Sequence, residues 1–237
     1  MKIKAFTLIE LTAVVSIIAI LTGIVVYGIN DWKADANLKK SIAHSNNVKS
    51  KLATSLVGEW KMEENDNFHI YDSGRLGNTG MADGTFTTQT ACPEGNRCIY
   101  SQGAEIYFYG NPPILKFKTV CFWIKSSNAN FDIINSYNDF HIYSSGGLIT
   151  FNIYSADNVY TSIAFTGATI NDNSWHFICG SIDNNSTFYG TTDGEARATG
   201  SAGVSSFGRK SLSSMVLGID PVTFYMDDLI IFGDSIY

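Results

Sequence analysis

A run of apolar residues from 6 to 29 governs what this chain can fold into. Across those 24 positions the only ionisable groups are Glu10 and the phenol of Tyr27. As a helix rising about 1.5 Å per residue, the run spans roughly 36 Å, enough to cross a bilayer. A cleaved secretory signal has a shorter apolar region followed by a small-residue site. Here Lys2, Lys4 and Ala5 stand before the run, which then starts abruptly at Phe6. Glu10 is out of place in a plain anchor, because a carboxylate at mid-bilayer costs about 2.5 kcal/mol or more and takes a partner. A cut between Ala5 and Phe6 would supply one. It creates an α-amino cation four residues before Glu10, and in an assembly the amine of one copy can neutralise Glu10 of the next.

The string Lys4-Ala5-Phe6-Thr7-Leu8-Ile9-Glu10-Leu11 resembles the class III leader and N-terminal signature of type IV pilins and pseudopilins. Ala5 stands where that family usually has Gly. The resemblance implies cleavage after Ala5 by a prepilin peptidase, methylation of the Phe6 amine, and assembly through Glu10. It also implies partners: copies of the chain itself in a helical filament, and the inner-membrane pilus assembly machinery. The implied location is the inner or cytoplasmic membrane before assembly and an extracellular pilus (fimbrium) or periplasmic pseudopilus after it.

Beyond the apolar run, Leu38, Ile42, Ser45, Val48, Leu52 and Leu56 recur at steps of three and four among Lys, Asn and Ser. That period predicts a helical stem with one narrow packing face. No proline occurs before Gly58, so a helix over 6–56 would be about 77 Å long. Gly23 and Gly28 are its weak points.

After Gly58 the period changes. Short β-rich runs at 104–109, 119–125, 131–136, 141–144, 149–155, 161–166, 176–182, 187–192, 214–218 and 226–232 alternate with turn chemistry. The turns include Gly146-Gly147, Asn171-Asp172-Asn173, Asp183-Asn184-Asn185 and Asp193-Gly194. Closely spaced strands with no helical period between them predict an antiparallel sandwich. Of the 31 aromatic residues, 28 lie in this part, enough for a core between two sheets. The expected fold class is therefore α+β, a long N-terminal α-helix followed by an antiparallel β-sandwich. The expected divisions are a leader (1–5), a transmembrane and assembly helix with its stem (6–57), and a β domain (58–237).

Charge divides the same way. Residues 1–57 carry seven Lys/Arg against three Asp/Glu, and residues 58–237 carry nine against nineteen. A β domain of net charge −10 repels phosphate backbones, which excludes broad nucleic-acid binding. Its four cysteines are compatible with two disulfides in an oxidising compartment.

Four pieces of the β part, in order, are similar to laminin G-like, concanavalin A-like jelly rolls. They are Leu56-Val57-Gly58-Glu59-Trp60-Lys61-Met62 with Tyr71-Asp72-Ser73 and Gly77-Asn78-Thr79-Gly80, then Val120-Cys121-Phe122-Trp123-Ile124-Lys125. Trp175-His176-Phe177-Ile178-Cys179-Gly180 and Met226-Asp227-Asp228-Leu229-Ile230-Ile231-Phe232 follow. The resemblance puts Cys121 and Cys179 on two central strands, bonded if those strands are neighbours, and leaves Cys92 and Cys98 to close a small loop. It also implies a structural calcium held by Asp72, Asn78, Asp227 and Asp228, hard oxygen ligands from separated segments.

Catalysis is not expected. Retaining glycoside hydrolysis needs two carboxyl groups about 5–5.5 Å apart, and no strand carries alternating acids of the kind that would supply them. Glu63-Glu64-Asn65-Asp66-Asn67 reads as a solvated turn. His44, His69, His141 and His176 show no metal-ligand spacing, and there is no nucleophile elbow, phosphate loop or dinucleotide fingerprint. Tyr107, Tyr109, Tyr137, Tyr143 and Tyr154 are candidates for stacking a sugar, against the commoner use of strand tyrosines in packing. Sequons at Asn184 and Asn185 fall in a turn. The expected function is a filament subunit that displays a lectin-like jelly roll for adhesion or surface ligand binding. The alternatives are a secretion-system pseudopilin and a membrane-anchored carbohydrate-binding protein that does not polymerise.

Overall fold

A computed structural model describes residues 7–64, 68–74, 77–84, 86–95, 97–103, 105–114, 117–136, 139–154, 159–207, 212–217 and 222–237. The chain divides into two compact units, Met1–Lys39 and Lys40–Tyr237.

Helix α1 runs Leu8–Leu52 and ends in a 3-10 turn at Ala53–Ser55. Over Leu8–Val25 its apolar side chains lie open. The 18-residue stretch Leu8–Val25 has a mean hydropathy of 2.4 and no buried residue. That length and composition suit a membrane anchor or a signal.

The second unit holds two antiparallel sheets. Sheet A contains β1 (Leu56–Trp60), β4 (Phe86–Gln89), β5 (Cys98–Gln102), β7 (Thr119–Lys125), β12 (His176–Ile182), β13 (Thr187–Thr192), β14 (Glu195–Ser201) and β16 (Thr223–Phe232). Its order is β14-β13-β12-β7-β16-β5-β4, and β1 joins β16 beyond β5. Sheet B contains β2 (His69–Ile70), β3 (Gly80–Asp83), β6 (Glu105–Ile114), β8 (Phe131–Ser136), β9 (Phe140–Ser145), β10 (Leu148–Tyr154), β11 (Tyr160–Ala164) and β15 (Leu212–Leu217). Its order is β11-β10-β9-β8-β15-β6-β3-β2.

Strand alternation builds the core between the sheets. Val120, Phe122 and Ile124 of β7, Ile178 and Ile182 of β12, and Phe224, Met226, Leu229 and Ile231 of β16 face inward. They meet Ile133, Ile134, Ile142, Phe151 and Ile153 of sheet B. The sandwich so formed is the jelly roll expected from the sequence.

Sheet A is buried on its other face as well. Cys121, Trp123, Phe177, Cys179, Ile230 and Phe232 alternate with the core residues, yet are 0–1% exposed. Residues 40–52 of α1 cover that face, presenting Ser41, Ser45, Val48 and Leu52 as a buried stripe at helical spacing. The ring of His44 lies 6.0 Å from that of Phe177. This double burial explains why 119–125 reads as an unbroken apolar run rather than an alternating one.

Candidate functional sites

The start of α1 is capped by its own side chains. The Thr7 amide and hydroxyl donate to the Glu10 carboxylate at 2.9 and 2.8 Å, and the Glu10 amide donates to the Thr7 hydroxyl at 3.3 Å. This is a capping box, a Thr and a Glu three residues apart satisfying two orphan amides of the first turn. The Thr7-x-x-Glu10 spacing before an apolar run is a sequence signal for it that the charge argument on Glu10 passed over. Ala5 and Phe6, where processing is expected, lie outside the described residues.

On the outer face of sheet A, β16 places two consecutive carboxyls beneath the helix. A bulge between Asp227 and Ile230 interrupts the pairing with β7, and Asp228 takes a left-handed backbone with φ of 50°. Bulges re-aim side chains in this way. Asp227 and Asp228 are 1% and 3% exposed. Lys49 of α1 reaches down and pairs with both Asp228 and Glu94. Trp123 Nε1 donates to Glu94 at 3.0 Å, and the Glu94 amide to Asp227 at 3.4 Å. A cavity of about 300 Å³ opens beside them, lined by Lys49, Glu59, Lys61, Glu63, Glu94, Gly95 and both aspartates.

The electrostatics follow from two buried aspartates and the half-buried Glu94 gathered about one ammonium, which pairs with Asp228 and Glu94. Burial, aided by the charge of Asp228, pushes the Asp227 carboxyl up to about 8. Burial also raises Asp228, against the pull of Lys49. Burial works against the Lys49 ammonium, yet the two carboxylates outweigh it and hold its pKa above the ordinary lysine value. Glu94 is held low because hydrogen bonds led by Lys49 outweigh its burial.

Protein donors reach each of the four residues expected to hold calcium, although Asp228 Oδ1 is itself buried without a hydrogen-bond partner. Asp72 accepts from the amides of Glu59, Gly74 and Asn78 at 2.9, 2.7 and 3.2 Å. The Asn78 carbonyl accepts from Trp60 Nε1 at 2.7 Å. Asp227 and Asp228 take the Glu94 amide and Lys49. Among the described residues no three His, Cys, Asp or Glu side chains are arranged to hold a metal ion. The structure therefore gives a calcium at these residues no support. Lys49 and Glu94 are the partners that sequence reasoning missed. The signal was a lysine one residue beyond Val48 on the packing stripe, where a solvated charge was the ordinary reading.

A second polar cluster fixes the β13–β14 turn under the helix. Asp193, at φ of 55°, accepts from Ser41 Oγ and the Phe177 amide, each at 2.9 Å, and bonds His176 Nδ1 at 2.8 Å. Asp172 bonds the other ring nitrogen at 3.1 Å. Burial disfavours the His176 cation, but the two carboxylates outweigh it and raise its pKa. His176 is thus a structural group that fastens a hairpin to its neighbours.

Two disulfides join Cys121 to Cys179 and Cys92 to Cys98. The first links directly opposed residues of β7 and β12; the second closes the loop that carries Glu94. Disulfides fit a domain that matures outside the reducing cytoplasm. Of the candidate tyrosines, Tyr107, Tyr143 and Tyr154 are half-buried on sheet B. Tyr143 stacks on His141 at 4.9 Å, and Tyr154 meets Tyr160 at 5.5 Å. Tyr137 and the side chain of Tyr109 lie outside the described residues.

Two antiparallel sheets of this order, packed face to face with the closing strand at the centre of one, define a lectin-like jelly roll. The model of the concanavalin A-like lectin/glucanases superfamily matches residues 115–236, 122 of the chain's 237 positions, and the chain belongs to that family. No curated protein sequence matches it. Solved structures of the same fold include the ligand-binding domain of botulinum neurotoxin serotype D in complex with N-acetylneuraminic acid. That chain is 17% identical, with a TM-score of 0.63 over 80% of this chain and 50% of that one. A botulinum neurotoxin type C structure, described through cell entry dependent on two ganglioside molecules, is 15% identical, with a TM-score of 0.63 over 79% and 50%. The binding domain of Paraclostridial Mosquitocidal Protein 1 is 13% identical, with a TM-score of 0.64 over 78% and 50%. The chain spans about half the length of each of these.

Proposed function

We propose that the chain is a type IV pilin-like filament subunit that carries a sugar-binding jelly roll outside the cell. In this reading residues 1–5 are a leader removed after Ala5, residues 6–57 anchor the subunit and later pack against copies of themselves, and residues 58–237 meet the ligand. The observation that carries it is a single carboxylate, Glu10, at the head of a helix whose next 15 residues to Val25 are apolar or small and none of them buried. A surface of that size needs lipid or other helices around it. The lectin-like fold, and the sugars named for solved chains that share it, support a binding rather than a catalytic role for the second unit. Cell adhesion or surface ligand capture follows from a binding module on a filament.

The capping box sharpens the test. Glutamine serves the third helical position as well as glutamate, so Glu10→Gln removes the charge and keeps the cap. The variant is expected to insert in the membrane at wild-type levels, with unchanged helicity, and to form no filaments. Wild-type filaments from Glu10→Gln, seen by electron microscopy of sheared surface material, would overturn the pairing of Glu10 with a neighbour's amine. The mass of the mature N-terminus decides the rest. An N-methylated Phe6 supports the filament subunit, and a retained Met1 supports an anchored, non-polymerising binding protein. A secretion-system pseudopilin shares the N-terminus and differs in leaving no surface filament.

A further inference from the structure

At one edge of sheet B, strands β2, β3 and β6 bring together side chains that neither the anchor nor the disulfide-linked face uses. The register aligns His69 with Met81 and Met81 with Tyr107, and sets Asp83 opposite Glu105. Ile70, Ala82 and Ile106 point into the core, so alternation turns Met81, Asp83, Glu105 and Tyr107 outward. The result is a two-by-two array, an apolar pair beside an acidic pair. Phe68 flanks the apolar side, held where its carbonyl accepts from the Ala82 amide at 2.9 Å. A cavity of about 510 Å³ lies over Phe68, Met81, Ala82, Asp83 and Tyr107, within the roughly 300–1,000 Å³ of small-molecule sites. Phe68 and Met81 are 45% and 41% exposed.

The acidic pair says what kind of ligand fits. Like charges directly opposite one another weaken a sheet, and ionised carboxylates only accept hydrogen bonds. The Tyr107 hydroxyl donates to Glu105, and among the described residues no Lys or Arg lines the cavity. An acyl chain or an apolar protein face would leave Asp83 against hydrocarbon. An anionic sugar or a phosphate would meet repulsion from the pair and from a domain of strongly negative net charge. A pyranose ring has an apolar C–H face for the rings of Phe68 and Tyr107 and the Met81 side chain. An ammonium on that ring meets the carboxylates and gains from the aromatic faces.

We propose that this cavity binds an amino sugar, with its C–H face on Phe68, Met81 and Tyr107 and its ammonium toward Asp83 and Glu105. The proposal rests on the reading of the jelly roll as a sugar-binding module. The test uses the full chain in detergent micelles, titrated calorimetrically with the β-1,4-linked glucosamine dimer, lactose and 3′-sialyllactose. The glucosamine dimer is expected to bind, lactose more weakly, and sialyllactose not at all. Phe68→Ala and the double variant Asp83→Asn, Glu105→Gln should each weaken the glucosamine dimer by about tenfold, with thermal unfolding unchanged to show that the sheet edge is intact. Binding that both variants leave unaltered would overturn the site and leave the sugar-binding reading standing. So would lactose or sialyllactose binding at least as tightly as the dimer. If none of the three binds, the site falls, and a broad glycan array then decides the wider reading, which a blank array overturns too.

Discussion

Asp227 is the residue whose chemistry is most altered by the fold. Its carboxyl moves from an ordinary 3.8 to about 8, mainly because it is buried. Above about pH 4 the unfolded chain releases this proton while the folded chain keeps it, so the native state binds more protons. Stability therefore falls as pH rises from about 4 to about 8 and is level beyond. Glu94, Asp228, Lys49 and Glu59 face the same cavity, and the lowered Glu94 contributes the opposite slope, lost as pH falls below its unfolded value. Asp227→Asn removes one titration and keeps an oxygen for the Glu94 amide. Its melting temperature should match wild type near pH 4 and exceed it increasingly toward pH 8, by an amount worth on the order of a few kcal/mol. A difference that stays constant between pH 5 and 8 would contradict the buried, neutral carboxyl. The sequence shows the Asp-Asp pair and its closing strand, but not its environment, because burial depends on a helix some 180 residues earlier whose lysine looks solvated by pattern.

At the scale of elements, turns and central strands were legible and the packing between them was not. Gly146-Gly147 and Asp193-Gly194 have positive φ throughout and close two-residue hairpins, β9–β10 and β13–β14, as their chemistry dictates. The short strands β2 to β5 were not separable in the sequence. A strand of two to five residues carries too little alternation to read. Gly180 and Gly190 show what pattern cannot. They pair across β12 and β13, and a Cβ on either would come within 2.5 Å of Phe151 or 2.3 Å of Phe165. Those two rings stack at 5.4 Å, nearly parallel, in the slot the glycines leave. Both rings are 0–1% exposed, held inside the core. Gly190→Ala should therefore cost about 1–3 kcal/mol, read as a drop of several degrees in melting temperature with the disulfides still formed. A neutral substitution would mean that the facing rings can shift.

For the molecule as a whole, the change of sequence pattern and the edge of the compact unit fall at different places. The period switches at Gly58, whereas the second unit begins at Lys40. The difference is the stretch 40–57, helical by sequence and part of the sandwich by packing. Val48 and Leu52 are 3% and 5% exposed there, Ser41 bonds Asp193, Lys49 neutralises Asp228 and Glu94, and Lys51 donates to the Ile236 carbonyl. Leu56 and Val57 belong to β1, and the Ser55 carbonyl accepts from the Gly233 amide at 2.7 Å. A chain of residues 40–237 keeps all of this. A chain of residues 58–237 uncovers Trp123, Phe177 and the Cys121–Cys179 bridge, and leaves Asp228 and Glu94 without their ammonium, a loss of about 3–5 kcal/mol for the charge alone. The longer chain should unfold cooperatively. The shorter should melt at least about 10 °C lower and bind a hydrophobic dye in its folded state. Melting within about 2 °C of each other, with equal dye binding, would mean that the jelly roll stands without its helix and that the stem does no more than connect.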